Sequence, residues 1–550
     1  MRLSLAVALL GATTSTLPRV IAAKHHAVTG VYVDPRSGSV PTRQNINDLE
    51  AAGGPQWDLY IRSLAAMQMQ DSEDPLSYFQ IAGIHGKPFI DWDDSGPRSS
   101  NDWAGYCPHN ERLFVSWHRP FVLLFEQTLV QHAKRIAKEY PEMYRYAYLR
   151  AAETLRAPYW DWGFDSNVPN ATTVDTMVVN MPFGEQLVPT TIPNPLSTYH
   201  FPKAALDGRW GAFDIENRSQ IYRCDEWPKS YPSSADSLMA DRPYKSWVYD
   251  VFTLSRDFSE FASTGDEGLS LEQVHNGVHW DAGCGGQFLA AEFSAFDPLF
   301  WLHHCNIDRL WAYWQAIKPR HKIFRRPYKG GSRFSTPSET IITPDSPLKP
   351  FRDSNGRFHT TKSVADIKDL GYSYYGLEYW TKTERQMSKA ATQLVNRLYG
   401  DNDSAGAKLM TQGSEGRRYL ASIHLNLAQI ERPASVNIFV AGEKAGSMVV
   451  MAQPSRGMAY GTVPLDNALA AAGITGTDAD SAVDSIQTSI TVTITKLSGD
   501  PIPLSQTPGL KIDIEDVNVI AGRTRDELPI LGMTQRRAAW FPEGRDNSRE

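Results

Sequence analysis

The spacing of apolar positions changes character along this chain. From Asn45 to Leu64 they recur at three- and four-residue steps, and after Pro120 the set Phe121, Leu124, Phe125, Leu129 and Ala133 falls on one helical face. Proline is tolerated in a helix near its start, so this set predicts a long helix to about Lys138 with His118 at or just inside its first turn. Leu271–Trp311 predicts two more helices, one carrying His275 and His279 and one opening after Asp297-Pro298, and Met387–Leu398 predicts another. Past residue 416 the period becomes two. YLASIHLNLAQI, ASVNIFVAG, SMVVMAQ, SITVTITKL and LKIDIEDVNVI are β-branched, alternating runs separated by turn residues, and they predict strands.

Between these patterns lie stretches without period. FQIAGIHGKPFIDWDDSGPRSSNDWAGYCPH is rich in turn residues and holds His85 and His109. Residues 163–244 read as a long loop system over a core, and another loop-rich region follows Trp314. YGDNDSAGAKLMTQGSEGRR has the composition of an exposed, protease-sensitive linker. The organisation expected is a leader over 1–23, a mainly α domain over 24–380, a helix and linker over 381–416, a β-sandwich over 417–522 and a disordered polar tail over 523–550.

Composition narrows the class. A 550-residue chain that is 41% hydrophobic can bury a large core and divide into domains. A net charge of −7 without a basic run gives no reason to expect nucleic acid or an anionic membrane as partner. Met1-Arg2, the apolar run Leu3–Leu10 and the small residues to Ala22-Ala23 read as a secretory signal, and no other run approaches a membrane span. The expected destination is outside the cell, in the wall or in the vacuole. Asn170, Asn217 and Asn402 open glycosylation sequons that agree with this route. Four cysteines, Cys107, Cys224, Cys284 and Cys305, are too few for a dense disulfide framework.

The candidate chemistry lies in the histidines. His275 and His279 stand four apart, so on a helix their rings share a face and can converge on one ion. His303 or His304 can supply a third nitrogen; neighbouring helical positions diverge by about 100°, so one of the two is expected to reach. Three neutral nitrogens without cysteine or carboxylate favour copper, or zinc, and leave coordination positions open. His85, His109 and His118 form a second such set. Two trios facing each other between four helices build a dinuclear centre inside a bundle. Two coppers so placed take up dioxygen and accept electrons in pairs, which side chains alone cannot do.

Four motifs appear in order: Ser116-Trp-His-Arg-Pro-Phe121, Pro158-Tyr-Trp-Asp-Trp162, His275-x3-His279 and Asp297-Pro-Leu-Phe-Trp-Leu-His-His-x3-Asp308-Arg309. Together they resemble the tyrosinases and catechol oxidases, type-3 copper proteins of the fungal polyphenol oxidase group. The resemblance covers about residues 40–380, and more loosely the β-rich remainder. It implies a mainly α catalytic domain, a four-helix bundle around two copper ions, with a C-terminal β-sandwich. His85, His109 and His118 would hold the first copper and His275, His279 and His304 the second, with His303 the outward neighbour. Cys107 would be joined to the ring of His109 as a thioether, the other reading being a disulfide from Cys107. With the thioether formed, the expected disulfide is Cys224 with Cys284, leaving Cys305 a buried thiol.

The same resemblance places Phe300 in the substrate pocket and Ala291 at the gate, where an alanine would leave the entrance wide. Glu272 and Asn276 would hold a water that takes the phenol proton, and Trp280 would restrict the approach of monophenols. Asp308-Arg309 reads as a structural anchor, and Tyr372-Ser373-Tyr374 as packing. Dioxygen and a small phenol are the implied partners. The implied reaction is oxidation of o-diphenols to o-quinones, with o-aminophenols and hydroxylation of monophenols as wider options. A haemocyanin-like oxygen carrier is the competing class. In latent relatives the C-terminal domain covers the copper entrance until a protease removes it; the linker suits such cutting, and Met451 and Tyr460 are candidate plugs.

Overall fold

The computed structural model describes residues 25–540 except 101, 225–229, 401–414 and 475–478. The expected leader, Asn402 and most of the linker lie outside the described residues. Among the described residues no helix is long and apolar enough to cross a membrane.

Four helices frame the N-terminal part. Gly54–Gln68 packs on Phe114–Ala137, which packs in turn on Leu299–Ile317. Leu271–Gly283 rests against Ser233–Ala240 and Tyr244–Leu254, and its His275 reaches across to His304 on Leu299–Ile317. Helix Leu271–Gly283 starts on Ser270, whose side chain accepts from the Gln273 N–H, and stops at Cys284 in the left-handed region. These ends fix the rotation of the face bearing His275 and His279. The Phe114–Ala137 helix begins earlier than the proline predicts, so Pro120 lies inside it and His118 is its fifth residue. Trp117, Phe121 and Phe125 are buried there, and that packing outweighs the one main-chain bond Pro120 cannot make.

Buried charge ties the frame together. Asp308 accepts from Arg43 and Arg119 and from the hydroxyls of Tyr372 and Tyr374, while Arg309 pairs with Asp161. The Asp308-Arg309 anchor therefore acts through other partners, not as a pair with itself, and the two tyrosines are hydrogen-bond donors as well as packing.

The C-terminal part is two four-stranded sheets. One runs Met458–Pro464, Glu415–Asn426, Lys511–Ile520 and Ile530–Trp540 in spatial order; the other runs Pro501–Ile502, Ile490–Lys496, Ala434–Val440 and Glu443–Val450. Their inner faces form a core of their own, including Ile423, Leu425, Val436, Ile438, Ile494 and Ile512. Three elements depart from expectation. Ile530–Trp540 pairs antiparallel with Lys511–Ile520, where charge-rich sequence predicted a disordered tail. Met458–Pro464 is a strand despite its Gly461. Thr176–Phe183 and Gln186–Pro193 form a hairpin within the stretch read as irregular.

Candidate metal centre

Two triangles of imidazole face each other. The ring centroids of His85, His109 and His118 are 5.4, 5.6 and 5.6 Å apart. Those of His275, His279 and His304 are 4.4, 4.9 and 5.8 Å apart. The triangles meet where His118 stacks on His304 at 4.4 Å and His109 on His275 at 5.9 Å. His118, His275, His279 and His304 sit on helices; His85 follows the short helix Tyr78–Gly83, and His109 lies in a loop.

Hydrogen bonds decide which nitrogen faces inward. The Nδ1–H of His85 donates to the Ala291 carbonyl at 2.8 Å, that of His118 to Phe114 at 2.7 Å and that of His279 to Phe288 at 2.7 Å. A carbonyl can only accept, so each of these rings carries its proton on Nδ1 and keeps a lone pair on Nε2. His275 Nδ1 meets the Asn276 Oδ1 at 2.9 Å, and its Nε2 lies 3.3 Å from that of His304. The Nε2 atoms of His85 and His118 are buried and have no partner. Burial holds all six rings below their ordinary pKa, His85 at about 4 and His279 at about 3, so they are neutral at neutral pH. Buried lone pairs left unsatisfied and backbone-oriented are what a metal site requires of its ligands. The donor set is imidazole alone, which suits copper.

The neighbour His303 is not turned away. Both of its nitrogens are buried without partners, its ring lies 4.8 Å from His275 and 4.8 Å from His279, and one nitrogen joins those of His275, His279 and His304 within 4.8 Å. Spacing predicts that one of His303 and His304 reaches the site; in the structure a ring nitrogen of each lies in the cluster with His275 and His279.

Phe300 stacks on His304 at 3.9 Å and meets His85 edge-on at 5.0 Å. Cys107 Sγ and ring nitrogens of His85 and His109 lie within 4.8 Å of one another, while the thiol donates to the His85 carbonyl. Cys224 and Cys284 form a disulfide, and Cys305 is a buried thiol. Glu272 is buried, accepting from the Asn110 N–H at 2.5 Å, the Thr264 N–H at 2.9 Å and the Thr264 hydroxyl at 3.1 Å. Burial pushes its carboxyl up to about 7 against the pull of those donors. Asn170 and Asn217 are exposed.

The entrance is closed by the sandwich. Trp280 and Leu289 pack against Val449 and Met451. The space left between His109, Asn110, Thr264, Glu272 and Asn276 on one side and Met448–Met451, Gln453 and Pro454 on the other is about 20 Å³. That is room for a water and not for a phenol ring. Ala291 therefore does not leave a wide entrance here: it is buried, and its carbonyl serves as the acceptor for His85. Tyr460 is not a plug; its ring packs on His424 at 5.3 Å, and its N–H donates to the Thr264 carbonyl. Sequence reasoning missed Asn110, Thr264 and Gln273, which bind the sandwich main chain across the interface. No local pattern marks such contacts.

Two facing trios of neutral imidazole define a dinuclear metalloprotein. The family model described as the common central domain of tyrosinase matches residues 75–317. A tyrosinase of Podospora anserina is 32% identical over 431 residues, spanning 72% of this chain and 74% of the relative. Polyphenol oxidase 2 of Agaricus bisporus is 31% identical over 387 residues, spanning 68% of each. The fold is shared with a mushroom tyrosinase crystallised in latent and active forms, at a TM-score of 0.78 and 23% identity over 94% of this chain and 98% of that one. The chain belongs to the tyrosinase family. It is a copper-dependent phenol oxidase with a dinuclear copper centre.

Proposed function

We propose that this protein is a secreted, latent polyphenol oxidase that oxidises o-diphenols to o-quinones, with His85, His109 and His118 holding one copper and His275, His279 and His304 the other. The pair of ions supplies dioxygen binding and two-electron redox chemistry when bound. Two diphenols per dioxygen give up four electrons and four protons, leaving two quinones and two waters.

The chain's own residues position and deprotonate. Phe300, stacked on His304, offers a flat apolar wall to an incoming ring. Asn276 spends its Oδ1 on His275, which leaves its Nδ2 to donate to a water or a phenolic oxygen. Glu272, buried in the same pocket with its carboxyl near 7, is suited to take the phenol proton through that water. Cys107 is placed to form a thioether with His109; the bond would replace the thiol S–H and one ring C–H, a two-electron oxidation for which bound copper and dioxygen would be the oxidant, and would pin that ring.

Latency rests on one observation: Met451 and its neighbours reduce the space beside His109 to about 20 Å³. Protease action within 401–416 would be the first step of release. The test is oxygen uptake with catechol by copper-loaded protein, first intact and then after cutting in the linker and stripping off the C-terminal fragment. The proposal expects turnover to rise at least about tenfold, a loss of closure worth about 1.4 kcal/mol. Equal turnover would remove the latency reading, and no turnover in either form would favour an oxygen carrier.

A further inference from the structure

Strand Met458–Pro464 is the edge of its sheet, bound on one side by Glu415–Asn426. Its other side is filled by the catalytic domain. Asn110 Nδ2 donates to the Met458 carbonyl at 2.9 Å, and the Tyr460 N–H donates to the Thr264 carbonyl at 2.7 Å. The Gln273 amide makes both bonds to Thr462, donating to its carbonyl and accepting from its N–H, each at 2.9 Å. Residues 458, 460 and 462 alternate, so the catalytic face reads the strand as a neighbouring strand would.

Two further contacts flank this edge. Arg418 of the sandwich reaches Asp250 of the helix Tyr244–Leu254 through two bonds, at 2.5 and 3.2 Å, and its own Asp466 through a third at 2.9 Å. Both carboxylates are buried. Separation would expose Asp250 and leave Arg418 half-paired. On the other flank Trp280 and Leu289 bury apolar surface against Val449 and Met451. None of these contacts depends on the peptide connection between the domains.

We infer that the face formed by Asn110, Thr264, Gln273, Asp250 and Trp280 is a seat that holds the sandwich as a separate polypeptide. Cutting the linker then yields a nicked complex that stays closed, and a second event that lifts strand Met458–Pro464 off its seat opens the site. This rests on the reading of the sandwich as the closing domain.

The test uses full-length, copper-loaded protein with a sequence-specific protease site placed within 401–414, cut to completion and run on native gel filtration at micromolar concentration. Both fragments are expected in one peak at the mass of the uncut protein, with catechol turnover within about twofold of it. Fragments that part on cutting overturn the inference, and a rise in turnover as they part leaves latency standing. A single peak that turns over freely overturns the closing-domain reading instead. Arg418→Glu sets an acid against Asp250 and Asp466, and is expected to give two peaks and at least about tenfold higher turnover once cut. Gln273→Leu, which removes both bonds to Thr462, serves as a second variant if Arg418→Glu does not fold. If a folded variant stays in one closed peak, the seat is not held by the contacts named and the inference fails.

Discussion

Met451 of the sandwich and Trp280 of the histidine-bearing helix share one buried apolar cluster. Trp280 directly follows His279, so Met451 belongs to the same apolar cluster as the residue next to a metal-facing ring. Met451→Ala takes one sandwich side chain out of that cluster while leaving every polar bond of the domain seat in place. In uncut, copper-loaded protein it is expected to raise catechol turnover several-fold and to cost about 2–5 kcal/mol of stability. Oxygen uptake and denaturant unfolding check the two parts. Unchanged turnover would show that Met451 does not guard the site.

Glu272 gives a pH dependence whose sign is fixed. Its folded value of about 7 lies above the unfolded value near 4.3. The folded state thus binds the proton more tightly, and the stability this lends is complete below about pH 4.3 and lost as pH rises through about 7. In metal-free protein the melting temperature should carry a falling component across that window, and Glu272→Gln should flatten it. An identical slope in both proteins would contradict the assignment.

Asp308 accepts from two arginines and two tyrosines in the frame that supports the Phe114 and Leu299 helices. Asp308→Asn leaves Arg43 with Glu126 as its one carboxylate partner and strips Arg119 of its carboxylate. A loss of about 3–5 kcal/mol is expected in chemical unfolding. A loss below about 1 kcal/mol, the scale of an exposed pair, would mean that the network relaxes without its centre.

Much of the centre was legible because its signals are local. His275 and His279 are one helical turn apart, and Asp297-Pro298 marks the start of the helix that carries His304; spacing and punctuation suffice there. His85 and His109 were grouped with His118 as a second trio and given their ligand role by the family resemblance, since nothing in their turn-rich loop fixes where a ring points. The β-texture of the C-terminal part was read from its period, yet Met458–Pro464 escaped because Gly461 and Pro464 weaken a strand signal. Ile530–Trp540 escaped because its Gln535, Arg536 and Arg537 read as solvated tail. Arg536 in fact pairs with Glu515 across the strands. Asn110, Thr264 and Gln273 carried no signal, because the bond between Gln273 and Thr462 joins residues 189 apart.

The choice between His303 and His304 is open to direct test. His304 Nε2 lies 3.3 Å from that of His275 and its ring stacks on His118 of the other triangle, whereas His303 stacks on His275 and its two nitrogens have no hydrogen-bond partner. His303→Phe is expected to retain both copper ions and His304→Phe to retain one. The reverse result would move the ligand by one residue.

The central claim is that two separate trios of ring nitrogen hold two copper ions. Copper bound per chain, measured by elemental analysis after loading and gel filtration, tests it most directly, alongside His118→Ala and His279→Ala. The account predicts two equivalents in the unaltered protein and one in each variant, each variant having lost one member of a different trio. One equivalent or none in the unaltered protein, or a variant that still binds two, would contradict it.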